Sequence, residues 1–163
     1  MVRFKFLLFV ALLAGFAALA HAGLDKGMAA YDRGDYARAY KEIKPLAEKG
    51  DIAAQFYLGV MYDFGRGVSQ DYVQAMKWYR RAAEQGDAEA QFELGWAYTD
   101  GKSVPQDFIQ AYMWFDLAAA HENDTYAEDY AGDFRDSLAE KMTPAQIAEA
   151  QRLAREWKPK GRD

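Results

Sequence analysis

Residues 51–86 read DIAAQFYLGVMYDFGRGVSQDYVQAMKWYRRAAEQG, and residues 87–122 read DAEAQFELGWAYTDGKSVPQDFIQAYMWFDLAAAHE. Laid over each other at a spacing of 36, Asp51, Gln55, Phe56, Leu58, Gly59, Tyr62, Gly65, Val68, Asp71, Ala75, Trp78, Ala82 and Ala83 meet identical residues. About half of the aligned positions agree. A period in the range of 20 to 50 residues is the signature of stacked supersecondary units, so it decides the architecture before any local reading does.

Each unit reads as two antiparallel helices. In the first, Ala54, Leu58 and Tyr62 fall four apart on one face. Gly59 beside them costs about 1 kcal/mol relative to alanine in a helix interior, which is tolerable if a neighbouring helix packs against its bare backbone. Gly65 and Gly67 supply positive φ after the helix, and Asp71 with Gln74, repeated as Asp107 with Gln110, predicts a capping box opening the next. The second helix carries Ala75, Trp78, Tyr79, Ala82 and Ala83; Gly86 ends it and Asp87 caps the following unit. No stretch alternates with the period of two that strands require.

The same ruler extends in both directions. Asp35, Tyr36 and Ala39 match Asp71, Tyr72 and Ala75, so residues 23–50 form an earlier pair whose first helix, around Leu24 to Arg33, has a shortened loop after it. Beyond Ala120 the pattern decays. Tyr130 and Phe134 stand where Leu94 and Tyr98 would fall, giving a helix from about Thr125 to Lys141. Thr143, Pro144 and Gln146 open a last helix with the apolar face Ile147, Ala150, Leu153, Ala154 and Trp157. Residues 123–158 are thus a divergent capping pair, and 159–163 a frayed tail. The fold class is all-α, an α/α superhelical solenoid of antiparallel helix pairs.

Before this domain, Arg3 and Lys5 precede an uncharged run from Phe6 to Ala20 and the small-x-small triplet Ala20, His21, Ala22. Residues 1–22 read as a signal peptide cleaved after Ala22, and the mature chain as periplasmic or secreted. The rival reading is an uncleaved anchor, for which a run of about 15 apolar residues is short. The chain has no cysteine, hence no disulfide framework, thiolate metal site or cysteine nucleophile, nor the cysteine a bacterial lipid anchor needs. Removing Arg3 and Lys5 from the 20 basic residues leaves 18 against 25 acidic ones, a charge near −7. That balance disfavours nucleic acid and anionic membrane as partners and favours a basic or neutral protein.

Leu-Gly-x-x-Tyr at Leu58 to Tyr62, Gly-x-Gly-Val at Gly65 to Val68 and Trp-Tyr-x-x-Ala-Ala at Trp78 to Ala83 resemble the Sel-1-like repeat, a relative of the tetratricopeptide repeat. The match is fullest over 51–86 and weaker over 87–122, where Ser103 replaces the second loop glycine. The resemblance implies a non-catalytic protein-protein interaction or adaptor module, with partners bound on the face lined by the first helix of each pair. Carried over onto this chain, the tetratricopeptide groove positions are Phe56, Val60, Asp63 and Phe64, then Phe92, Trp96, Thr99 and Asp100. Phe56 and Phe92 equally fit a packing role. Trp96 takes the place of Val60 one unit earlier, so the framework does not require a tryptophan there.

Catalytic patterns are weak by comparison. After export one histidine is left, His121, at a helix end where the dipole favours it, with no second histidine to complete a ligand set. Glu122, Asp124, Glu128 and Asp129 lack the spacing and central glycine of a calcium loop. Ser69, Ser103 and Ser137 lack the glycine-flanked nucleophile elbow, and Gly65-Arg66-Gly67 lacks the lysine-serine pair of a phosphate loop. The reading is therefore a non-catalytic monomer with no metal and no cofactor. The alternatives are a glycan- or peptidoglycan-binding envelope protein and, last, an envelope or β-lactam hydrolase, which certain cysteine-linked helical-repeat relatives imply.

Overall fold

The computed structural model describes residues 22–121 and 126–161. Residues 1–21 of the proposed signal peptide and, from the acidic cluster, Glu122 and Asp124 lie outside what it describes, as do the side chains of Glu128 and Asp129. Among the described residues the secondary structure is helical, with no strand: α1 (residues 22–32), α2 (Tyr36–Glu48), α3 (Ile52–Phe64), α4 (Tyr72–Glu84), α5 (Ala88–Asp100), α6 (Phe108–Ala119), α7 (Tyr126–Ala139) and α8 (Pro144–Glu156).

The aspartates found at each repeat junction set the helix starts. Asp35, Asp51, Asp71, Asp87 and Asp107 are all N-caps, each carboxylate accepting from a backbone N–H in the first turn. At Asp71 and Asp107 the carboxylate leg of the expected box forms; both reciprocal legs form at α8, between Thr143 and Gln146. At the other end, Gly65 and Gly101 close α3 and α5 in the left-handed region, at φ 65° and 73°.

Helices α3 with α4 and α5 with α6 pack as antiparallel pairs, and α2 with α3 and α4 with α5 join one pair to the next. The helical glycines are the contact points within each pair. A Cβ on Gly59 would stand 2.6 Å from the Tyr79 ring, and one on Gly95 would stand 2.6 Å from the Phe115 ring, so only glycine lets the helices approach this closely. The tryptophans that recur with the repeat, Trp78 and Trp114, are buried core residues.

A buried amide ties each pair to the one before. Gln55 Nε2 donates to Ala47 O and Gln91 Nε2 to Ala83 O, both at 3.2 Å, bracing the first helix of a unit against the end of the preceding helix. Their oxygens are satisfied from positions one repeat apart: Gln85 Nε2 donates to Gln55 Oε1 at 2.7 Å, and His121 Nε2 lies 3.2 Å from Gln91 Oε1.

The C-terminal end departs from the expected repeat geometry. Helices α7 and α8 do not pack on each other as an antiparallel pair; both dock on α6, and α7 also touches α5. Tyr130 is exposed where Leu94 is buried; the buried residues of α7 include Ala127 and Ala131, at the repeat positions of buried Gln91 and Gly95, and Leu138. Helix α8 turns back over the second-helix layer, placing Leu153, Ala154 and Trp157 against the core that holds Trp114. The tail after it is not frayed at Lys160, whose N–H donates to Glu84 O at 2.7 Å and whose ammonium pairs with Glu84 Oε2 at 2.9 Å.

Candidate functional site

The eight residues carried over from the groove pattern divide into four groups. Phe92 is not open to a partner: it is 4% exposed and packed edge-on against Phe115 and Phe134, because α7 covers the position. Phe56 and Val60 are half-buried at the edge of the central core, Phe56 lying 5.8 Å from the Tyr79 ring. Thr99 spends its hydroxyl on Gly95 O, at 2.8 Å, within α5.

The other four remain at the surface, and three of them meet. Asp63 at the end of α3 and Trp96 and Asp100 on α5 line a cleft of about 290 Å³ together with Tyr72, Met76 and Tyr79 of α4 and Glu93 of α5. Phe64 is 62% exposed but points elsewhere, against the Arg66 guanidinium at the preceding inter-unit boundary. Trp96, 40% exposed, also forms one wall of an adjoining groove of about 240 Å³ with Phe115, Phe134 and Leu138, its ring 4.7 Å from that of Phe134.

The cleft is electrostatically unusual. Burial, then the negative charges of Asp63 and Glu89, push the Glu93 carboxyl up to about 7. Burial also raises Asp63, against the opposing effect of the Tyr79 hydroxyl, which donates to Asp63 Oδ2 at 3.3 Å. Lys102, on the rim, is engaged with Asp100 at 3.0 Å. Sequence reading found Asp63, Trp96 and Asp100 but missed Glu93, which stands where Tyr57 stands one unit earlier. A replacement of tyrosine by glutamate at a half-buried register was the available signal.

His121 is explained by framework chemistry. It occupies the repeat position of Gln85 and meets Gln91 as Gln85 meets Gln55, a bracing role. Among the described residues no group of three or more histidines, cysteines or carboxylates has an arrangement able to hold a metal ion. None of their helices is long and apolar enough to cross a membrane.

Stacked antiparallel pairs, glycine-mediated close contacts and a cleft between successive first helices define a helical-repeat scaffold of the solenoid class. The Sel1 repeat model matches residues 52–87 and 88–123. A solved structure described as a Sel1 repeat protein from Oxalobacter formigenes is 35% identical, with a TM-score of 0.56, over 68% of this chain and 88% of that one. The chain belongs to the Sel1 repeat family. A second solved structure, a protective antigen present in uropathogenic Escherichia coli strains and displaying an SLR fold, is 34% identical with a TM-score of 0.77. That match covers 85% of this chain and only 29% of the antigen. A search of curated protein sequences gave no significant match. Sel1 repeats are generally protein-protein interaction modules, and their fold is generally a non-catalytic scaffold.

Proposed function

We propose that this protein is an exported, non-catalytic adaptor that docks a partner protein on the concave face lined by α3 and α5. The observation that carries the reading is Trp96, a large aromatic left 40% exposed between an acidic cleft and an apolar groove, at a position the repeat framework fills with valine one unit earlier. Half-exposed tryptophans beside pockets are the residues that anchor protein interfaces. Export rests on the basic start, apolar run and small-x-small triplet of residues 1–22, with Gly23 as the mature N-terminus in the periplasm or medium.

The test is affinity capture from an envelope extract with wild-type protein and with Trp96→Ala. A protein retained by the wild type and weakened by about 2 kcal/mol in the variant supports the docking reading. Equal affinity for a correctly folded variant overturns it. Retention of a glycan in place of a protein would move the assignment to the envelope-binding alternative.

A further inference from the structure

The first two inter-unit boundaries among the described residues are built on one plan and filled differently. Asp35 N donates to Ala30 O, Asp71 N to Tyr62 O and Asp107 N to Tyr98 O, at 2.9 to 3.0 Å, which aligns Tyr31 with Asp63 despite the shortened first loop. With that register and the 36-residue spacing, Tyr36, Tyr57, Phe64 and Arg66 at the first boundary correspond to Tyr72, Glu93, Asp100 and Lys102 at the second.

At the first boundary the space is occupied from within. The Arg66 guanidinium hydrogen-bonds the Tyr31 hydroxyl and lies over the rings of Tyr31, Tyr36 and Phe64, at 5.3, 5.4 and 5.0 Å from their centroids. Gly67 seats that loop on α2 so closely that a Cβ would stand 2.1 Å from Tyr36 O.

At the second boundary the matching pair, Ser103 and Tyr72, line the cleft. Three aromatic residues, Tyr31, Tyr57 and Phe64, have become the carboxylates Asp63, Glu93 and Asp100. The residue in Arg66's place, Lys102, is 81% exposed and held by Asp100. Two bases on helices packed against α5 are also engaged, Arg80 with the Tyr98 hydroxyl and Arg135 with Asp116 and Asp136, and Arg81 lies over the Trp78 ring.

We propose that the cleft between α3, α4 and α5 receives the guanidinium of an arginine on a partner protein, the group that Arg66 supplies internally one boundary earlier. Asp63 and Glu93 neutralise it, Tyr72 and Trp96 offer ring faces, and the groove between Trp96, Phe134 and Leu138 takes an apolar residue beside it. The carboxylates alone would not specify this ligand; the filled counterpart at the first boundary does. The inference rests on the docking reading above and names the chemistry of its partner.

The coupling to pH follows from the groups that face Glu93. These are Asp63 from α3, Tyr79 from α4, Glu89 on its own helix, and Asp100 with Lys102 at the rim. Glu93 gains its full charge only above neutrality, so a cationic ligand binds more tightly at pH 8 than at pH 6.

The probe is a capped nonapeptide of glycine and serine with a central leucine-arginine step, and its citrulline analogue, which keeps the shape and removes the charge. Backbone and indole amide shifts of the full mature chain are followed by NMR during titration to about 10 mM peptide, where millimolar binding is measurable. The expected result is saturable shifts at Trp96 and along α5, about tenfold tighter for arginine than for citrulline and about tenfold weaker in Glu93→Gln, whose spectrum reports that it is folded. Equal binding of the two peptides, shifts centred elsewhere, or no saturation overturns the proposal. A partner captured through Trp96 alongside a failed arginine titration would leave the docking reading intact and remove the arginine. A successful titration without a captured protein would do the reverse.

Discussion

Replacing Glu93 by glutamine should stabilise the protein as the pH rises. The Glu93 carboxyl is raised from an ordinary 4.5 to about 7 by burial and by the charges of Asp63 and Glu89. A carboxyl whose folded value lies above its unfolded value holds its proton longer when folded. Below pH 4.5 both states are protonated and there is no penalty; between 4.5 and 7 the unfolded chain ionises first; above 7 the folded chain bears the whole cost. A separation of about 2.5 units at 1.36 kcal/mol each sets that cost at ~3 kcal/mol, an upper figure because the group is only partly withdrawn from water. Glutamine keeps the shape and cannot ionise. Its own burial adds a pH-independent offset, which cancels when the difference between variant and wild type is compared across pH. Urea unfolding followed by circular dichroism at several values from pH 4.5 to 8 should show that difference growing in favour of Glu93→Gln by ~2–3 kcal/mol, with unchanged slopes. A flat difference would mean that Glu93 titrates normally, and the electrostatic description of the cleft would be wrong.

Two further substitutions test the framework. Gly59→Leu places a side chain where a Cβ already meets the Tyr79 ring at 2.6 Å; overpacking of ~3 kcal/mol exceeds the ~1 kcal/mol gained in helix propensity. A calorimetric Tm lowered by about 5 °C or more is expected, and an unchanged Tm would refute the close-contact account. Thr143→Ala removes the hydroxyl that accepts from Gln146 N at the start of α8 and should cost about 1 kcal/mol in urea unfolding, with Thr143→Ser restoring most of it.

The repeat and its punctuation were legible because both are local. An aspartate that caps a helix needs only the backbone three residues on, and glycines at 65 and 101 need only their own φ. The lost pairing of α7 with α8 was not legible, since an amphipathic stripe does not say which helix it meets after the turn, and α8 docks on α6. The groove residues show the same division. The tetratricopeptide resemblance placed Asp63, Trp96 and Asp100 on one surface, but it could not say that α7 would descend over Phe92. Glu93 escaped because a charged residue on an amphipathic helix is ordinarily read as solvated. Its partial burial arises only when α3 and α4 close around it.

The return of the chain to Glu84 gives this molecule a direction of melting. In an open stack each unit touches only its neighbours, so both ends unravel with equal ease. Here the segment after α8 clasps a residue 76 positions back, and α8 lies across the layer between them. Loosening the C-terminal end therefore means releasing α4 and α6 together, whereas α1 and α2 can peel from the opposite end alone. Thermal opening should begin beside Arg66 and reach the Trp96 cleft last, leaving the surface that meets a partner in the most persistent part of the fold.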